Sequence, residues 1–223
     1  MRVWEWARNV GWAALDLLAP RRCLGCEGLE PLVKSGFCSE CGAPEPLLDV
    51  ACHLDAVPVF AGVRYAEPVV SAIHRFKYGG APELAPALAS WCARGIDLLG
   101  IEAGAVWVPV PLHPLRLAER GYNQSALLAR ELSRMSQGHV DARRLRRLRN
   151  TQQQAKLDRQ ERARNVASAF AVRQNARGPR QVVLVDDVVT SGVTLTACIR
   201  ALHAAGERVV GCVAVAHTDG SLS

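Results

Sequence analysis

The sequence predicts an α/β protein: a mostly parallel sheet flanked by helices, preceded by a small cysteine-rich module. Three observations predict it. From residue 57 onward, short apolar runs alternate with stretches of helical period. One of those runs, "VVLV" at 182–185, is apolar at every position, as a strand covered on both faces must be. Ahead of residue 55 that alternation stops, and a stretch rich in Cys, Gly and Pro takes its place.

Residues 3–18 read as a helix. Val3, Ala7, Val10, Ala14 and Leu18 recur at spacings of four, three, four and four. Its polar face is short of Lys and Arg, which favours packing on the protein over lying on a membrane surface. Residues 19–52 have little periodicity and need something other than an apolar core to hold them. "VPVFAGVRY", 57–65, reads as a strand. "PVVSAIHRFKY" reads as a helix that "GG" at 79–80 stops. A further helix is expected over about 82–94, and "AVWVPVPL", 105–112, is a short apolar strand closed by prolines. A helix over 123–135 takes Asn123 as its N-cap. Residues 141–165 are polar, basic and poorly patterned, the profile of a long mobile loop. "QVVLV" is a buried strand, 194–205 a helix and "RVVGCVAVA" the next strand. The composition break near 55 divides the chain into residues 1–55, a helix plus cysteine module, and residues 56–223, the α/β domain.

The totals narrow the classes. At 223 residues there is room for one full core and a small extra module. Hydrophobic residues at 49% and charged residues at 22% are ordinary for a soluble globular protein. No apolar run approaches the roughly 18 residues of a transmembrane segment. Glu5, Arg8 and Asp16 interrupt the region that an export signal keeps apolar, so a reducing, cytoplasmic compartment is expected. A net charge of +6 favours an anionic partner: phosphate, pyrophosphate or nucleic acid. Aromatics at 5% advertise no stacking platform for single-stranded bases.

Cys23-x2-Cys26 and Cys38-x2-Cys41 are separated by eleven residues. Each CxxC turn aims two sulfurs at one point, and two turns complete a tetrahedral thiolate shell. A redox CxxC and a pair of disulfides are the rival readings, and two CxxC pairs in series favour zinc. A closed four-thiolate site has no open coordination position, so the zinc is expected to be structural. Cys92, Cys198 and Cys212 fall on apolar faces and read as core.

In "VVLVDDVVTSGVTL" the buried strand delivers Asp186 and Asp187 to its C-terminal end, where ligands sit in such sheets. Thr190, Ser191 and Gly192 allow a tight turn, and Val193 and Thr194 open the helix. Main-chain N–H groups there, with the helix dipole, make an anion site. Such acids can accept hydrogen bonds from sugar hydroxyls and, through water, hold a metal ion. A ribose 5-phosphate matches that polarity. The alternative is an Asp-rich βα turn with a capped helix and no ligand.

The stretch resembles the phosphoribosyl pyrophosphate (PRPP) signature of type I phosphoribosyltransferases. The four-cysteine module, "VPVPLHPLRLAERGYNQSALLA" and "RNTQQQAKLDRQERARNVASAF" narrow the resemblance to the ComF family of competence proteins, over essentially the whole chain. The family motifs stand here as Arg120–Gln124 and as Thr151, Gln154, Leu157, Glu161, Arg162 and Asn165. Some relatives carry a second cysteine pair after the first knuckles. Only Cys52 remains here, which argues against a second zinc. The resemblance implies a type I phosphoribosyltransferase fold behind a zinc ribbon, with Asp186 and Asp187 on the ribose and residues 190–194 on the 5-phosphate. It also implies Mg²⁺ bound with PRPP and a cytoplasmic role in uptake of transforming single-stranded DNA, alongside a helicase-like partner.

Arg116, Arg120, Asn123 and Gln124 follow a strand end on the same side as Asp186 and are candidates for pyrophosphate oxygens. Arg149, Thr151, Gln154, Arg162 and Asn165 fit a loop that orders over the ligand. "RRLRRLR" at 143–149 has three readings: a solvated edge strand with Leu145 and Leu148 turned inward, a DNA contact, or part of that loop. Two rivals to the competence role stand: an active phosphoribosyltransferase of nucleobase metabolism or salvage, and a non-enzymatic adaptor or DNA-binding protein. No base-recognition motif is evident.

Overall fold

The computed structural model describes residues 22–29, 31–32, 36–148, 169–173 and 181–218. The helix expected at 3–18 lies outside them, as do Arg149, Thr151, Gln154, Arg162 and Asn165. Strands β1 (Val50–Leu54), β2 (Val57–Arg64), β3 (Val106–Pro109), β4 (His139–Val140), β7 (Gln181–Val189) and β8 (Arg208–His217) form a sheet in the order β1-β2-β8-β7-β3-β4. Only the β1–β2 pair is antiparallel. Strands β5 (Leu145–Arg147) and β6 (Phe170–Val172) pair as a separate ribbon. The mixed α/β architecture with its mostly parallel sheet is the one the alternation predicts.

Helices cover both faces. On one lie α1 (Val69–Tyr78), α2 (Ala85–Trp91) and α5 (Gln124–Met135), which bury Ile73, Phe76, Leu88, Leu128 and Leu132 against Val183, Val185, Val213 and Val215. On the other lies α6 (Val193–Ala204), which buries Leu195, Ile199 and Leu202 against Val182, Leu184 and Cys212. Alternate residues of β7 and β8 therefore serve opposite cores, as the two-residue period of a strand requires. Fully burying one such side chain contributes about 1.5–3 kcal/mol, so the two cores carry the stability of the domain.

Several boundaries differ from expectation. The stretch 82–94 is not one helix: a 3₁₀ turn (Pro82–Leu84) leads into α2, and α3 (Arg94–Leu98) follows. The loop after β3 contains α4 (Pro114–Arg120), which buries no side chain and has Gly121 as its left-handed C-cap. The sheet begins at Val50, ahead of the composition break near 55. Leu145 points into the core, but Leu148 is 55% exposed, so the expectation that both turn inward is corrected. Strand β5 pairs with β6, which sets which of its residues face the core.

The cysteine module packs on α1 and α2. Cys23, Leu24, Phe37 and Cys38 are buried in the same core as Ile73 and Leu88, and Phe37 stacks on Trp91 at 5.6 Å between centroids. Arg75 of α1 clasps it: Nη1 donates to the carbonyls of Leu24 (2.9 Å) and Cys23 (3.3 Å), and Nε pairs with Glu27 at 2.5 Å.

Candidate functional site

The site forms where two strands part. Residues Val106–Pro109 of β3 pair with Val182–Val185 of β7, and Val110 N–H still donates to Val185 O at 2.9 Å. An unbroken ladder would next join Asp187 N–H to Val110 O. Instead Asn123 Nδ2 donates to Val110 O (3.1 Å), and Asp187 N–H donates to the Asp186 carboxylate (2.9 Å). Beyond Val185, strand β7 is paired only with β8. The chain leaves β3 toward β4 and leaves β7 toward β8, in opposite directions, so the gap is the topological switch point of the sheet.

A cleft of about 280 Å³ fills that gap. The two acids belong to strand β7 itself, which runs to Val189, rather than to a loop after it. They have different surroundings. Asp187 is 4% exposed and its Oδ1 pairs with Lys77 Nζ at 2.8 Å. Its Oδ2 is buried without a hydrogen-bond partner among the described residues. Asp186 is half-buried and its Oδ1 accepts from Ser125 Oγ at 3.1 Å. Burial first, and the charge of Asp187 second, push the Asp186 carboxyl up to about 7. Burial works against the Lys77 ammonium, but Asp187 and then Asp186 outweigh it and hold its pKa above the usual lysine value.

The 190–194 turn adjoins the acids and surrounds a recess of about 50 Å³. Gly192 sits at φ +66°, the left-handed region that side chains avoid, and is the N-cap of α6 without any side-chain cap. The first turn of a helix leaves its N–H groups without intrahelical partners. Thr190 and Thr194 line both recess and cleft, whereas Ser191, Gly192 and Val193 line the recess alone.

Arg116, Arg120 and Gln124 line the cleft. Arg120 Nη1 donates to Gln124 Oε1 at 2.5 Å, and Arg116 pairs with Glu119 at 3.0 Å. Asn123 is not among the cleft-lining residues. Its Oδ1 caps α5 by accepting from Ser125 N–H (3.0 Å), while its Nδ2 holds the strands apart. Among the polar residues that line the cleft, sequence reasoning missed Lys77, Ser125, Arg147, Tyr65 and Tyr78. Lys77 arrives from α1, a helix read only for its apolar face. Ser125 arrives from α5. Arg147 arrives from β5, in a run of which only Arg149 had been singled out. Arg144 of that run is buried instead, paired with Asp141 (3.1 Å) and Glu207. A polar residue one step past the last apolar position of α1 was the available signal for Lys77. His113 accepts from Leu115 N–H at 3.4 Å and caps α4.

The four cysteines converge. Their Sγ atoms all lie within 4.8 Å of one another, and those of Cys26 and Cys38 are 3.7 Å apart. A tetrahedron with zinc–sulfur bonds of about 2.3 Å has edges of about 3.8 Å. Burial opposes ionisation of Cys23, but main-chain N–H groups of Cys26, Cys38 and Gly25 bring it down to about 6. Hydrogen bonding to Cys26 and burial push Cys41 up. Four thiols at one point cannot all ionise without a cation, and the donor set is the one a structural zinc ribbon uses.

A mostly parallel sheet with an acidic pair and a glycine turn into a helix at its switch point is the arrangement of the phosphoribosyltransferase fold. A model of the phosphoribosyl transferase domain matches residues 122–221. DNA utilization protein YhgH of Escherichia coli (strain K12) is 32% identical over 169 residues, covering 71% of this chain and 74% of the relative. Competence protein ComFC of Bacillus subtilis (strain 168) is 28% identical over 216 residues, 91% of this chain and 87% of the relative. Competence protein F of Haemophilus influenzae is 29% identical over 211 residues, 83% and 92% respectively. The chain belongs to the ComF family. Among the described residues, no helix is long and apolar enough to cross a membrane.

Proposed function

We propose that this chain binds Mg²⁺–PRPP in the cleft and serves, in the cytoplasm, the uptake or use of single-stranded DNA. One observation carries the binding: an uncapped helix N-terminus and two carboxylates lie in sequence along one opening at the switch point. The 5-phosphate belongs in the 190–194 recess, where main-chain amides and the Thr190 and Thr194 hydroxyls donate. The ribose hydroxyls donate to Asp186 and Asp187. Magnesium enters as part of the substrate complex. Lys77, Arg116, Arg120 and Arg147 line the rest of the cleft and match the charge of a pyrophosphate. The names of the relatives, competence and DNA utilization, support the biological role. Cys23, Cys26, Cys38 and Cys41 hold a structural zinc. A helicase-like partner and the loop residues Arg149 to Asn165 rest on the family resemblance alone.

A second reading is favoured by the four cations: a phosphoribosyltransferase with turnover. The C1–O bond to pyrophosphate breaks, a nitrogen of an acceptor base bonds to C1, and the base gives up its proton. Positioning and charge neutralisation would supply the catalysis.

Calorimetric titration with Mg²⁺–PRPP tests the binding. The parent is expected to bind, and the Asp186→Ala, Asp187→Ala double variant to bind at least tenfold more weakly. Equal affinity would show that the acids do not hold the sugar. Pyrophosphate release in the presence of a nucleobase separates the enzyme from the binding protein.

A further inference from the structure

Arg147 enters the cleft from the β5–β6 ribbon, which is separate from the main sheet. Asp186 and Asp187 are neighbours on β7, so their side chains leave opposite faces of the strand. Lys77, from α1, meets Asp187 on one face. The ribbon lies on the other: Leu145 and Phe170 are buried in the same core as Leu195 and Ile199 of α6. The Arg147 guanidinium stands over the Phe170 ring, its partner across the ribbon, at 5.7 Å from the centroid. Burial disfavours its charge, while Cys198 and Asp186 favour it, so the acid is within its electrostatic reach.

The other end of the ribbon is held by buried charge. Arg144 is 3% exposed. Its Nε donates to Asp141 Oδ2 at 3.1 Å, and its Nη1 donates to Glu207 Oε1. Its carbonyl accepts from Arg173 N–H of the returning strand at 2.8 Å. Asp141 follows β4, and its N–H donates to Trp107 O of β3 at 3.0 Å. Glu207 lies between α6 and β8, and its N–H donates to Leu202 O at 3.0 Å. One guanidinium thus ties the ribbon to the sheet through one carboxylate and to the end of α6 through the other. None of the three residues lines the cleft. Buried ion pairs seldom stabilise a fold more than apolar side chains of the same volume, because desolvation offsets their attraction. Leu145 already gives the ribbon an apolar anchor. What two engaged arms add is direction, since the strand can no longer turn about Leu145. Arg147 lies three residues on, about 10 Å along a strand, so a turn or slip at Arg144 would carry to the cleft.

We propose that Asp141, Arg144 and Glu207 form a positioning triad. It holds the ribbon so that Arg147 stands beside Asp186 as the cation of the α6 side, as Lys77 is the cation of the α1 side. The part played by Arg147 toward a ligand rests on the Mg²⁺–PRPP reading, whereas its placement is tested without ligand. The Arg144→Met, Glu207→Leu double variant removes both buried charges together, so neither is left alone. Asp141 has a side chain 36% exposed and is solvated where it stands.

The first measurement is solvent exchange of the arginine Nε–H signals in the ligand-free, full-length protein, with Arg147→Met identifying the Arg147 signal by its loss. That signal is expected to exchange slowly in the parent, where the atom is buried. The double variant is expected to speed its exchange at least tenfold, and Glu207→Gln, which keeps an acceptor in place, to leave it slow. The second measurement is calorimetry with Mg²⁺–PRPP. Arg147→Met is expected to weaken binding about tenfold, the contribution of one charge-assisted hydrogen bond, and the double variant about as much. The triple variant is expected to lose no more than Arg147→Met alone, whereas independent contributions would multiply. An Arg147 signal that exchanges fast in the parent, or equally slowly in the double variant, overturns the proposal. So do losses that multiply. Should the double variant fail to fold, Arg144→Lys, with one donor centre in place of two, is read in the same way. A parent that does not bind Mg²⁺–PRPP removes the sugar-phosphate reading and leaves the exchange measurement to decide the triad.

Discussion

At the scale of single residues, the site depends on two ionisable side chains whose affinity for a proton is raised by their neighbours and burial. Asp186 binds its proton up to about pH 7. Its folded pKa lies above the unfolded one, so it contributes stability at low pH that is lost as pH rises toward 7. Ligand binding has the opposite sign, since the ribose and its metal call for the ionised form. Affinity for Mg²⁺–PRPP is therefore expected to rise between pH 6 and 8. Because the ligand phosphates also titrate near pH 6, the Asp186→Asn protein is the control and is expected to show a flatter profile by calorimetry. Lys77 is the second such residue. Replacing it with Met leaves the buried Asp187 charge without its cation, and denaturant unfolding is expected to show a loss of about 3 kcal/mol. Adding Asp187→Asn to Lys77→Met is expected to recover most of that loss. Asp186 and Asp187 were legible because apolar strand, acids, turn and helix are contiguous in sequence. Lys77 was not, because the contact that gives it meaning spans over one hundred residues.

At the scale of elements, α1 links the cysteine module to the cleft. Arg75 holds the carbonyls of Cys23 and Leu24, and Lys77 and Tyr78 follow within a turn. Chelating the metal is expected to raise hydrogen exchange across Val69–Tyr78 and to weaken PRPP binding, although no cysteine lines the cleft. Arg75→Ala is expected to raise exchange in the same helix with zinc still bound. Unchanged exchange in both proteins would show that the module does not brace α1. Helix α5 works similarly through Asn123, which caps the helix and keeps Val110 from its next ladder rung. Asn123→Ala is expected to cost about 1 kcal/mol in denaturant unfolding, the value of an N-cap, and to weaken ligand binding without touching the ligand. The cap itself could be read from Asn before an apolar helical pattern. Its second role could not, because it depends on where β3 ends. Helix α4 was also hidden: it buries no side chain, so it leaves no periodic apolar signature.

At the scale of the whole molecule, alternation of strand and helix predicted the sheet, and paired CxxC turns predicted the cluster. The edge strands β1 and β4 were illegible because they are short and β4 and β6 pair with strands distant in sequence, whereas β5 falls within 143–149, where an edge strand was one of three readings. The net charge of +6 has a measurable consequence: affinity for single-stranded DNA is expected to fall steeply with salt, with a log–log slope of about −0.7 per phosphate neutralised. A slope near zero would remove the electrostatic part of the DNA reading. The early end of β3 has a further consequence. Adding two residues with strong strand preference after Pro109 would let the backbone close up along Asp186 and Asp187 like a zip. Such a protein is expected to gain cooperativity in unfolding and, on the proposed reading, to lose Mg²⁺–PRPP binding, so the cleft exists only because the sheet is left unfinished.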